Sequence, residues 1–306
     1  MPSDRHAYLI MAHAEPQMLK TLVSLLDDSR NDIFLHIDKK SEELYAFACS
    51  LRTQFSTLHV LKKRIDVRWG HFSQVKTEFL LLETAMSTGN YAYLHLLSGV
   101  DLPLKTQDEI HDFFERHSGK EFVGFASGES DERDLFRKAC LRQILIRHLT
   151  SGPMFMQNLC LNLNRKFLRL QTLMGYRKRY PVELKKGTNW FSITGRLAKY
   201  VLSKRGFVEK YFKHALCCDE IFLQTIVWNS PFRECVYDPL NEYDCCQRLM
   251  VWETASPRVL GIGDKNFLLS SDRLFARKFS YSNPEIIPII AARCTATNTV
   301  QQTQSR

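Results

Sequence analysis

The stretch HALCCDEIFLQTIVWNS, His214 to Ser230, sets two cysteines directly before two acids and an apolar run. Four chemistries are open to it: a metal site, a redox pair, a helix start, or a carboxylate acting as a base. Adjacent thiols point apart and make poor tetrahedral ligands, and Cys245–Cys246 repeats the same arrangement. The cysteines therefore read as buried structural thiols. Asp219 and Glu220 stay open between capping a helix and catalysis, because acids favour the first turn of a helix for purely local reasons.

Several chemistries are missing. No G-x-G-x-x-G opens a helix after a strand, and no P-loop, H-E-x-x-H or C-x-x-C occurs. No serine sits in a nucleophile elbow. No two aspartates stand one residue apart, so the carboxylate pair that often clamps a divalent metal on a diphosphate is absent.

The net charge of +9 is concentrated. Between Arg137 and Lys186 there are twelve lysines and arginines, opposed only by Glu183. Such a segment fits an anionic partner, a bilayer or a phosphate, or a solvated helix face. No nucleic-acid-binding motif accompanies it, so nucleic acid is not expected as a partner. Nine cysteines without regular spacing, no signal peptide and no membrane-length apolar run make the cytoplasm the expected location. The basic segment allows a peripheral position on the inner membrane face.

The elements that must position these residues alternate in type. Ala7–Ala12, Asp32–Asp38, Thr57–Leu61, Tyr91–Gly99 and Glu121–Phe125 read as strands. Between them lie apolar periodicities of helical spacing, strongest through Phe72, Val75, Phe79 and Leu82. Repeated βα units predict an α/β fold with a Rossmann-like, mostly parallel central sheet flanked by helices. Sites in such sheets lie beyond the carboxyl ends of the strands. Residues 131–180 read as a basic helical insertion in a single catalytic domain spanning 1–293. Residues 294–306 read as a disordered tail.

AYLIMAHAEP, IFLHIDKKS, VRWGHFSQVKTEFLLLETAM, YAYLHLLSGVDLPLKTQDEIHDFF, GTNWFSITGRLAKYVL, CDEIFLQTIVWNSPF and LFARKF occur in this order. Together they resemble the core-2/I-branching β-1,6-N-acetylglucosaminyltransferases, glycosyltransferase family 14, in a bacterial-type form. The resemblance covers about Tyr8 to Phe279; Arg137 to Tyr180 carries no matching motif. It implies a GT-A fold and inverting transfer of a sugar, GlcNAc, from a UDP-sugar to a glycan hydroxyl, with no metal or other cofactor. It implies His13 and Asp38 near the uridine, Trp69 and Gly70 approaching the nucleotide, and Asp101 at the end of the central strand by the donor. Asn189 and Trp190 would line the acceptor pocket. Glu220 would be the base, and Arg258 and Lys278 would hold the diphosphate in place of a metal. Asp219 is read as a cap. The expected acceptor is a glycan or lipid-linked saccharide in cell-surface polysaccharide or glycolipid synthesis. UDP-xylose is the alternative donor, and a non-catalytic glycan or anionic-surface binding protein the alternative class.

Overall fold

Strand β1 (His6–Ala12) is apolar without alternation because it is buried on both faces. Ala7 and Leu9 enter one core; Tyr8, Ile10 and Ala12 enter the other. A computed structural model describes residues 4–149, 152–253 and 256–296. Strands β2 (Asn31–Ile37), β3 (Thr57–Val60) and β4 (Tyr93–Ser98) run parallel to β1 in the order β3-β2-β1-β4. The sheet continues through β7 (Phe191–Thr194) to β6 (Phe122–Val123), and β7 is antiparallel to both neighbours. The sheet is thus mixed α/β and mostly parallel, as expected. A second sheet, β5 (Leu102–Pro103), β9 (Phe275–Arg277) and β8 (Arg248–Met250), is too short to be read from sequence.

Helices α1 (Pro16–Leu25), α2 (Glu42–Ser50), α3 (Ser73–Thr88) and α4 (Gln107–Arg116) connect the first strands. The 131–180 region is less helical than expected. It holds α5 (Glu129–Leu135), a π turn at Phe136–Cys140 and α6 (Met154–Leu173), with irregular chain around them. Helices α7 (Gly195–Ser203), α8 (Arg205–Phe212) and α9 (Phe222–Trp228) follow, then α10 (Glu242–Cys246), α11 (Lys265–Leu269) and α12 (Ile286–Thr295). Helix α12 corrects the proposed tail boundary. Cys294 lies in its last turn, buried, with its thiol on the Pro103 carbonyl. The rest of that tail, 297–306, lies outside the described residues.

The sheet buries polar groups that must stay neutral. His36 on β2 is 1% exposed, and its Nε2 accepts the Ile65 N–H at 2.9 Å. Burial is the largest cause of its pKa falling from 6.5 to about 4. The folded pKa is the lower one, so the unfolded chain takes up the proton first. Stability present above pH 6.5 is therefore lost as pH falls toward 4. His36 alone is expected to remove about 2 kcal/mol between pH 7 and pH 5. Denaturant unfolding at both pH values should show a smaller drop in His36→Gln, whose amide oxygen accepts the same N–H without titrating.

Candidate active site

The first group of residues sits at the carboxyl ends of β1, β2 and β4. His13 follows β1 and is exposed; its carbonyl accepts the Ser41 hydroxyl. Asp38 follows β2 and is buried, its N–H bonded to the Ala12 carbonyl and its carboxylate paired with Lys40. Lys40 also reaches Asp66 and the Val67 carbonyl, which ties the β2 end to the segment carrying Trp69 and Gly70. The Trp69 indole is exposed. Gly70 adopts φ +68°, and a Cβ there would lie 3.0 Å from Leu216 Cδ1. Its carbonyl accepts the Cys217 N–H. Gly70→Ala is therefore expected to lower stability by about 1–2 kcal/mol. Thermal unfolding measures this, and an unchanged melting temperature would mean the turn relaxes freely.

Asp101, just past β4, is 1% exposed. Its Oδ2 accepts the Ser98 N–H, and Oδ1 lies 3.6 Å from Arg277 Nε. Burial raises its pKa, against the pull of Arg277. The Arg277 guanidinium stacks over the Trp190 ring at 4.0 Å. Trp190 is 9% exposed and belongs to the core, so the geometry makes it a support for Arg277 rather than an open sugar platform. Asn189 beside it is half-buried.

The two expected diphosphate cations differ. Lys278 is half-buried with no ion-pair partner among the described residues, and the following N–H, of Phe279, bonds to the Val100 carbonyl beside Asp101. Arg258 lies close by in the chain path, since Leu260 N–H donates to the Lys278 carbonyl. Its guanidinium, however, is engaged by Asp264 through both Nη atoms and by Glu253. Those carboxylates compete with any bound phosphate.

Glu220 ends a short 3-10 turn, Cys218–Glu220, ahead of α9. Its carbonyl accepts the Gly187 N–H, and Gln224 on α9 donates to the Thr188 carbonyl. The turn and the Asn189 segment are thereby locked side by side. Glu220 Oε2 accepts Lys138 Nζ at 2.8 Å, and the side chain is 32% exposed. Oε1 accepts no hydrogen bond among the described residues. Lys138 also pairs with Asp134, which pairs with Lys186, the residue before Gly187. Burial works against the charge of Lys138, but Glu220, Cys217 and Asp134 outweigh it and raise its pKa.

Asp219 is not a cap. Helix α9 has Ile221 at its N-cap and no side-chain cap bond. Asp219 instead points inward, where Oδ2 accepts the amide of Gln74 and Oδ1 is buried without a partner among the described residues. Burial and the neighbouring Glu220 raise its pKa. Beneath it Glu78 is 1% exposed with neither oxygen hydrogen-bonded among the described residues, and burial, then Asp219, hold its pKa high. Glu220, by contrast, has Lys138 as its ionic partner.

Lys138, Arg277, Gln74 and Glu78 were not legible as site residues. Arg277 had one signal, its place beside Lys278 in LFARKF. Lys138 had none, since it stands 82 positions from its partner. All nine cysteines are free. Among the described residues no group of three or more His, Cys, Asp or Glu is placed to hold a metal, and no helix is long and apolar enough to cross a membrane.

The sheet defines an α/β protein with a mostly parallel central sheet, and buried carboxylates and their paired cations lie just past the ends of its first strands. A family model described as "Core-2/I-Branching enzyme" matches residues 6–259, and the chain belongs to that family. Xylosyltransferase 2 of Rattus norvegicus is 23% identical over 94% of this chain and 33% of its own length. Xylosyltransferase 1 of Homo sapiens is 23% identical over 94% of this chain and 30% of its own length. The chain thus spans about a third of these relatives. Among solved structures, mouse xyloside xylosyltransferase 1 in its apo form aligns over 92% of this chain and 99% of its own, with a TM-score of 0.38 and 12% identity.

Proposed function

We propose that this chain is an inverting glycosyltransferase that moves a sugar from UDP to a glycan hydroxyl, with Glu220 as the base. The observation that carries the reading is Glu220 itself: one oxygen is held by Lys138 and the other is left open beside the Asn189 segment. In this reaction the acceptor oxygen bonds to the anomeric carbon from the face opposite UDP. Its proton passes to Glu220 Oε1, and the bond from the anomeric carbon to the diphosphate oxygen breaks. Charge develops on the departing UDP, where Lys278 stabilises it without a required metal. The resemblance to branching enzymes favours GlcNAc as donor. The names of the relatives favour xylose, which is the second reading. The acceptor class proposed is a glycan or lipid-linked saccharide at the cytoplasmic membrane face.

Calorimetric titration with UDP tests the nucleotide site. Lys278→Ala is expected to weaken UDP binding roughly ten-fold or more, as loss of a charge-assisted contact does. Arg258→Ala should change it little, because Asp264 already holds that guanidinium. Equal affinity in wild type and Lys278→Ala would remove Lys278 from the diphosphate site.

A further inference from the structure

Helix α6 is built inside out. Its buried residues are Cys160, Asn164 and Gln171, two of them polar. Asn164 bonds Gln143 and the Ile144 N–H, and Gln171 bonds both the N–H and the carbonyl of Arg142. The helix is thus held to the protein by amide hydrogen bonds. The opposite face presents Phe155, Leu159, Leu163, Leu170 and Leu173 to solvent, at 69%, 50%, 44%, 52% and 86% exposure. At 100° per residue these five fall within an arc of about 80°. At the same 100° per residue Arg169 lies about 40° and Arg165 about 80° outside one edge of the arc, Lys166 rises within it, and all three are exposed. None of the three has a carboxylate partner among the described residues, and no acid occurs between positions 135 and 182 of the sequence. The cations at the ends of the segment, Arg137, Lys138, Lys185 and Lys186, are by contrast paired.

A water-facing helix puts its apolar residues inward. A large exposed apolar stripe marks an interaction surface, and its rim of cations selects the partner's charge. We propose that α6 lies flat in the headgroup region of an anionic lipid bilayer, with the leucine stripe inserted and Arg165, Lys166 and Arg169 on lipid phosphates. A second copy of the chain fits poorly, because its matching face would bring the same cations together. The inner side of α6 also bears on the site: Cys160 packs with Ile146 and Leu149 against Leu216, four residues before Glu220. A docked helix would place the base segment beside acceptors anchored in the same bilayer. Docking itself does not depend on the transfer reading.

Vesicle flotation of the whole chain tests it, with phosphatidylcholine alone and with roughly 30% phosphatidylglycerol added, at low and high salt. Wild type is expected to float with the anionic vesicles at low salt and to dissociate as salt rises. Arg165→Gln, Lys166→Gln and Arg169→Gln together should weaken binding on the order of 100-fold. Leu159→Ser, Leu163→Ser and Leu170→Ser together should weaken it at least about ten-fold. Both triple variants alter exposed positions, and wild-type melting temperatures would confirm that they fold. No flotation with either vesicle overturns the proposal. Flotation indifferent to the serine variant overturns the inserted face. A wild-type dimer that the serine variant dissociates, with no vesicle binding, assigns the face to a second copy and overturns it as well.

Discussion

Glu220→Gln is expected to lower turnover by roughly 100- to 10,000-fold while leaving UDP affinity unchanged. The substitution keeps the shape of the side chain. A glutamine oxygen still accepts Lys138 Nζ, and the Gly187 N–H still bonds the Glu220 backbone carbonyl. What is lost is the ability of the second oxygen to take a proton. Burial leaves no obvious substitute: Asp219 is turned inward onto Gln74, and Glu78 lies beneath it, 1% exposed. Measuring kcat in transfer or donor hydrolysis, beside calorimetric UDP binding, separates chemistry from binding. Retained turnover would place the base elsewhere. Lost turnover together with lost UDP binding would indicate a structural role for Glu220.

The second large effect is expected at Lys138. Its ammonium, 13% exposed and 2.8 Å from Glu220, fixes one carboxylate oxygen. Lys138→Met keeps the length of the stem and removes the charge. Turnover at neutral pH should fall roughly ten- to a hundred-fold, the size of a lost charge-assisted hydrogen bond. UDP affinity and melting temperature should stay at their wild-type values, because Asp134 keeps Lys186 and the one contact left unreplaced is to the base. A merely structural role would lower both along with turnover. The opposite outcome is also informative: if Lys138 blocks the base, the variant would gain turnover, and its positioning role would be wrong.

Periodicity and burial made the parallel half of the sheet readable. Strands with uninterrupted apolar runs and helices with i, i+3, i+4 spacing report their surroundings locally: β1, β2 and β4 fall within two residues of their expected limits, and α3 carries the expected Val75, Phe79 and Leu82. The second sheet was not readable, because β5, β8 and β9 are two or three residues each and are held by partners far along the chain. The basic segment looked like one cationic surface. Its ends prove to be neutralised by Asp131, Asp134, Glu183 and Glu220, while the exposed cations of α6 keep no carboxylate partner among the described residues. Asp219 was misread as a cap because an acid before an apolar helix satisfies that pattern locally. Its true environment is set by Gln74, 145 positions away.

The most direct test of the account is UDP release by the wild-type chain from a panel of UDP-sugars, with and without EDTA and with saccharide acceptors present. Release is expected from one donor, UDP-GlcNAc or UDP-xylose, and EDTA is not expected to reduce it. EDTA-sensitive release would contradict the cation-only support of the diphosphate. No release from any donor, together with no UDP binding by calorimetry, would contradict the transferase reading itself.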